Sequence, residues 1–581
     1  MEMQLKSTSI SYLEPVAAGS RNLEQTQQIR LPDGMPDVER IIGCWGQTVL
    51  RSKEWRSDTL TAAGGVLVWV LYQPEDGSQL RALDGWISFQ GKWDLPENNE
   101  DGHMMVQSVL RSLDARPVSP RKILVRAGIG LNCLALMPKQ AELYRAEQVP
   151  EDVQLLRKQY PLRLYAEAGE KSFALEDSAA SQGDGQGKLI ACTVLTNLTD
   201  QRVDGDKIAF RGSAEVTGLL LDGEGKPRDQ RFTLPFSQII ELDRAYGNDG
   251  EADIQLCVTN FEAETDQEGE HRLRVGLTAQ YALSDVTMTE TLEDGYSTRR
   301  PLKMTWDTLE LTPILERRWE SLSGEAELPE DADNAIDLRG AWDIPTWERT
   351  EDGFSLETQG VAQMLYRTDQ GLNGAHPHWE GKKEMAADAQ TKLALTALQP
   401  VLPQLSPGAG RVTGECRFQV TSYAGAGIPV VTSIELGEPE SKDASRPSLI
   451  LCRAGGKSLW NLAKDNGSTV EAIRTANKLE GEPEPGRMLL IPVVSHKAPS
   501  RGRAGAAPLA DCRILGEVSA IVKNSESTRG FARGFCRMGK TYWTVYRTSV
   551  EALGVPAKNF CRLSTVVAAM LSRASCVRNA W

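Results

Sequence analysis

The chain has 581 residues, 40% hydrophobic and 25% charged, with 65 Lys+Arg against 79 Asp+Glu for a formal net charge of −14. At roughly 150 residues per domain this suggests about four folding units. The composition is near globular norms and excludes wholesale disorder, and the acidic total argues against a body built around nucleic-acid phosphates or an anionic membrane surface. The opening Met1–Ile10 lacks a cationic start followed by an apolar core, so no signal peptide is expected, and no apolar run approaches a membrane-spanning length.

In chain order, the first strong signal is alternation. Leu60, Ala62, Gly64, Val66, Val68 and Val70 share one face, the period-2 mark of a long strand. A Pro74-Glu-Asp-Gly77 turn and another apolar stretch follow, which predicts a β-hairpin. The pattern repeats. Asp58–Gly77 shifted by 148 becomes Asp206–Gly225, with Ile208, Phe210, Gly212, Ala214 and Val216 on one face. Shifted by a further 146 it becomes Asp352–Gly371, with a looser pattern. The first offset also carries Ile42-Gly43-Cys44 onto Ile190-Ala191-Cys192. A closing strand is expected in each copy, at Ile123–Met137, Arg272–Tyr281 and Arg411–Tyr423. A period near 147 suits a whole domain rather than a solenoid unit. The fold class expected is therefore mainly β: three tandem, sandwich-like β repeats at 1–148, 149–294 and 295–436, the third divergent.

Similar catalytic domains would repeat their acid/base residues, and no His or carboxylate pair recurs apart from turn acids. Asp58, Asp206 and Asp352 do recur, and local backbone hydrogen bonding explains an Asp beside a turn. Six Cys lie singly in the acidic part with no CxxC pair, which reads as buried, inert thiols rather than a metal or redox site. His376-Pro377-His378 offers two ligands in a turn with no third beside it. No catalytic residue, metal or cofactor is assigned.

A polar linker, Gly437–Pro447, leads to a compact pattern at 448–494. Leu449–Cys452 reads as a strand, and Ser458 as the N-cap of a first helix. Ser468–Glu471 reads as a capping box that opens a second helix with Val470, Ile473 and Ala476 inward. Asn477 ends it, and Met488–Pro492 is the return strand, giving βααβ. Gly456-x-Ser458-Leu459-Trp460-x-x-Ala463, Asn477, Pro485-Gly486 and Leu490-Ile491-Pro492 resemble a LysM domain. The resemblance implies a shallow groove for N-acetylglucosamine-containing glycan or a protein partner. Its lining would be Gly456, Lys457, Ser458, Leu459, Asn477, Lys478 and Leu479. The family's usual Pro-Gly-Asp is Gly455-Gly456-Lys457 here, which changes the groove's charge.

Repeats followed by one LysM resemble the SPOCS-domain (spore coat assembly) proteins of endospore-forming Firmicutes. The residues carrying this are Leu31–Ile42, the Val66–Gly77 hairpin in each copy, Glu151–Pro161 and Ala168–Phe173. The resemblance covers roughly residues 20–494. It implies a non-enzymatic scaffold in the mother-cell cytosol at the forespore surface, with coat morphogenetic proteins as partners and the LysM contacting the ATPase of the coat's basement layer. The alternative is a cell-wall protein that binds peptidoglycan. Residues 496–581 differ from the rest, with 14 Lys+Arg and 4 Asp+Glu, net +10, leaving net −24 before them. The basic tail, 495–581, shows no defined domain. It reads either as a segment that docks on acidic surface or as an extension of irregular origin, such as read-through in a shifted frame; nucleic acid is not an expected partner.

Overall fold

The computed structural model describes residues 2–95, 102–180, 187–265, 270–329, 332, 335–369, 371–406, 410–439 and 447–493. The basic tail and most of the linker lie outside the described residues. The chain is mainly β, arranged in several sheets. The first repeat holds β1 (Leu5–Arg30), β2 (Val38–Arg56), β3 (Thr59–Pro74), β4 (Arg81–Asp94), β5 (His103–Ser119) and β6 (Lys122–Ala146). The second holds β7 (Val153–Ala180), β8 (Lys188–Leu221), β9 (Pro227–Tyr246), β10 (Glu251–Thr265) and β11 (Glu270–Ser297). The third holds β12 (Leu302–Leu311), β13 (Ile314–Glu327), β14 (Ala335–Trp342), β15 (Thr346–Arg349), β16 (Gly353–Thr368), β17 (Gly371–Ala375), β18 (His378–Ala386), β19 (Thr391–Ser406), β20 (Arg411–Ala424) and β21 (Ala426–Leu436). After them come β22 (Leu449–Arg453), α1 (Leu459–Asn466), α2 (Val470–Asn477) and β23 (Met488–Pro492).

Alternation sets the long strands. On β3 the side chains of Leu60, Ala62, Val66, Val68 and Val70 are wholly buried, and on β8 so are those of Ile208 and Ala214. Phe354, Leu356, Ala362 and Met364 repeat this on β16. The three hairpin turns end on Gly77, Gly225 and Gly371, with φ of +70°, +77° and +121°, a region open to glycine at little cost. The two halves of β8 lie side by side, with Thr199 donating to Arg211 O at 3.1 Å, so β8 does the work of β2 and β3 together. Two of the three recurring aspartates bond through the main chain: Asp58 O accepts from Leu95 N and Asp352 O from Ala387 N.

Each repeat encloses a core between two strand layers, and the inner layers of the first two repeats join in one six-stranded sheet, β10-β11-β7-β1-β6-β5. The sheet β2-β3-β4 closes over β1, β6 and β5. In the second repeat β8 and β9 close over β7, β11 and β10. In the third β14, β16 and β18 close over β13, β20 and β19. The third repeat also differs in its strands. Its first strand is interrupted at Thr312-Pro313 and its last at Gly425, whereas β1 and β7 run on through Pro15 and Pro161.

The repeats are not separate along the chain. They close around a common pseudo-threefold axis. At one end Ile42, Ile190 and Ile336 meet Leu71, Leu219 and Leu365, two sets of equivalent positions in a single cluster. At the other end Leu13, Leu134 and Leu136 meet Tyr165, Ala168 and Ala282, and Ile314, Ala394 and Tyr423. Between them, buried amides reach across. Gln280 of the second repeat takes Val106 N (2.8 Å) and Val106 O (2.7 Å) of the first, and Asn132 of the first donates to Leu395 O of the third at 2.9 Å. Gln47 accepts from Val194 N at 2.7 Å. Each of these three amides satisfies a neighbour's buried main chain, which fixes register across the junctions. Met3 N donates to Ile434 O at 2.9 Å, tying the chain's start to the third repeat.

Candidate functional site

The βααβ segment departs from its expected caps. Ser458 caps α1, accepting from Asn461 N, as expected. The second helix is capped by Thr469, which accepts from Ala472 N, and not by a Ser468–Glu471 capping box. The reason is that Ser468 is fully buried and its hydroxyl turns inward to Pro492 O. Ile473 is buried and Val470 packs on the core, but Ala476 is exposed.

Of the seven expected groove residues, Gly456, Lys457, Ser458 and Lys478 are exposed. Leu459 is wholly buried in the module core, against which Leu479 packs half-buried. Asn477 is turned to structural work: its Nδ2 donates to Leu490 O and its Oδ1 accepts from Leu490 N, so it zips α2 to β23. Lys478 closes α2 in the left-handed region at φ +51°. The two loops are joined by Glu482, whose carboxylate accepts from Leu459 N at 2.8 Å, so an acid of the later loop already sits on the free donors at the start of α1. Lys457 pairs with Asp465 at 2.6 Å.

One face of the module is anchored to β11. Trp460 Nε1 donates to Asp294 at 2.8 Å, Lys464 Nζ reaches both Asp294 oxygens at 2.7 Å, and Tyr296 OH donates to Ser468 O at 2.9 Å. The Tyr296 and Trp460 rings meet edge to face at 4.9 Å. Burial alone would raise the Asp294 carboxyl, but the hydrogen bonds from Lys464 and Trp460 outweigh it and hold it below the usual range. A carboxylate lowered in the docked state favours docking above its ordinary pKa, and that contribution is lost as pH falls through the lowered value, below about pH 4. Asp294→Asn is expected to loosen the anchor by about 1–2 kcal/mol. Hydrogen exchange in α1 should then accelerate at neutral pH while exchange in β3 is unchanged.

The rest of the interior holds its reactive groups in inert states. Burial pushes the Cys133, Cys192 and Cys257 thiols up to about 12. His376, between β17 and β18, and His378, the first residue of β18, are exposed, and among the described residues no group of three or more His, Cys, Asp or Glu could hold a metal. No described helix is long and apolar enough to cross a membrane.

Reading the sequence missed Asp294 and Tyr296, and also the amides of the repeat junctions. A signal for the amides was present: the offset of 148 places Gln255 on Gln107 and Gln280 on Asn132. Compared with protein-family models, curated proteins and solved structures, the chain matches none of them.

Proposed function

We propose that the chain is a non-enzymatic scaffold of spore coat assembly, resembling the clostridial coat-morphogenetic protein SipL. The three SPOCS-like repeats gather coat proteins on the forespore surface from the mother-cell side. The LysM-like module docks on the ATPase of the coat's basement layer. What supports this reading is the anchoring of the module on β11 through Asp294 and Tyr296. A module tied to an interlocked body presents its outer loops at a fixed position, which is what a template for layered partners needs. The competing reading, binding of N-acetylglucosamine glycan or peptidoglycan, draws on the exposure of Gly456, Lys457, Ser458 and Lys478. Against it stand Glu482 on the α1 terminus and Lys457 paired with Asp465.

The test is a two-arm binding assay of the full chain. It should co-purify with the basement-layer ATPase and stay in the supernatant when purified peptidoglycan is sedimented. Sedimentation with peptidoglycan in the absence of coat proteins would overturn the scaffold reading.

A further inference from the structure

The pseudo-threefold arrangement allows its three junctions to be compared position by position. Between the first and second repeats, Lys53 of β2 points its ammonium into a ready-made seat. Its Nζ donates to Met104 O at 2.8 Å and Gln280 Oε1 at 2.6 Å, and pairs with Glu170 at 2.6 Å. The position 148 residues on is Gln201, and its Nε2 donates to Ala252 O, itself 148 residues after Met104, at 2.8 Å. The second junction is thus built on the plan of the first, with an amide in place of the lysine. At the third, the equivalent residue is Trp347, half-buried against its repeat's core.

What the second junction lacks is the ammonium. Gln201 Oε1 is buried with no hydrogen-bond partner among the described residues. So is Gln419 Oε1, on a side chain 5% exposed. Gln419 stands opposite Trp319 across β20 and β13, as Gln280 stands opposite Glu170 across β11 and β7. Trp319 therefore takes the place of Glu170, and it is 46% exposed. An open groove of about 520 Å³ has Gln201, Trp319, Gln399 and Arg417 among its lining residues, and Gln419 lies behind that lining as the ladder partner of Trp319. Two buried carbonyl oxygens without donors are costly as they stand. An indole face beside them attracts a cation. Arg417 lines the groove without filling the seat: its Nε donates to Glu415 at 2.8 Å and its guanidinium makes no hydrogen bond to either amide oxygen. The acidic lining residues Asp200 and Glu320 are paired with Arg211 and Lys383.

We propose that this groove between the second and third repeats receives the side chain of a lysine from another polypeptide. The ammonium takes the seat that Lys53 fills one junction away, donating to the Gln201 oxygen on the groove wall, while its methylene stem and charge lie against the Trp319 ring. The net charge of −24 before residue 496 suits a basic partner.

The test uses the full chain and three small probes followed by ligand-detected NMR: Nα-acetyl-lysine methylamide, its Nε-acetylated form, and chitotriose. Only the charged lysine compound should bind. Trp319→Ala should weaken it about tenfold, between the exposed and the fully desolvated cases of a cation–π contact. Gln201→Lys should abolish binding by supplying the ammonium from within, and the variant should melt no lower than the parent, which separates occupancy from misfolding. Lys53→Gln should leave binding at this groove unchanged. Equal binding of the Nε-acetylated compound, preference for chitotriose, retained binding in Gln201→Lys, or no binding by any probe would each overturn the proposal.

Discussion

Arg317→Ala is expected to cost about 3–5 kcal/mol of stability, because it strands a buried carboxylate at the junction of the second and third repeats. Arg317 leaves β13 of the third repeat and enters the second. It meets Asp253 at 2.8 Å in a bent ion contact, Glu251 at 2.8 Å and Ser284 Oγ at 2.8 Å, and lies over the Tyr165 ring at 5.6 Å. Asp253 is wholly buried. Its other oxygen accepts from Tyr165 OH at 3.0 Å, and the Tyr165 and Tyr423 hydroxyls are 2.9 Å apart. Burial drives the Asp253 carboxyl upward and the guanidinium pulls it back. Burial also raises both phenols, so they stay protonated and can keep donating.

The size of the effect follows from asymmetry. A buried pair gains little over a well-packed apolar pair, but either half alone must stay charged in a poor solvent or take up a proton. Asp253→Leu combined with Arg317→Met should therefore recover most of what Arg317→Ala loses. Urea unfolding of the single and double variants, followed by tryptophan emission, measures both. A loss under about 1 kcal/mol in Arg317→Ala would mean that the junction does not depend on this pair.

Some of this architecture is legible in the sequence and some is not, for identifiable reasons. The hairpins are legible because one sheet face is dry: Leu60 to Val70 can alternate only as a strand, and Gly77, Gly225 and Gly371 mark turns that want positive φ. Closure of the repeats is less so, because part of its cement is polar. Gln107, Asn132 and Gln280 occupy positions where alternation reads as solvent, yet they are at most 7% exposed and bond across repeats. The module's core was readable from Leu459, Ile473 and Ile491, all wholly buried. Its second cap was not, because Ser468 is claimed by Pro492 O, a contact with no local signature. Asp294 was likewise invisible, since a carboxylate near a strand end reads as surface until Trp460 and Lys464 arrive from far along the chain.

The second large effect tests closure itself. Leu71, Leu219 and Leu365 are wholly buried at one end of the axis, and each touches the cluster shared by all three repeats. Truncating any one to Ala should cost about 2–5 kcal/mol, from lost transfer free energy and the cavity left behind. The diagnostic outcome is in the form of the transition. If the repeats were independent domains, Leu219→Ala would shift only the second repeat's unfolding and leave two others in place. Because the leucine sits where three cores converge, the whole body is expected to unfold in one transition whose slope against urea reflects the surface of all three repeats. That transition should move to lower denaturant for each substitution. In the triple variant the losses should not add, since the second and third truncations remove neighbours the first has already released. Its smaller slope, together with a larger radius of gyration by X-ray scattering, would mark a ring that has opened before its repeats unfold. Three separate transitions in the parent chain would refute closure.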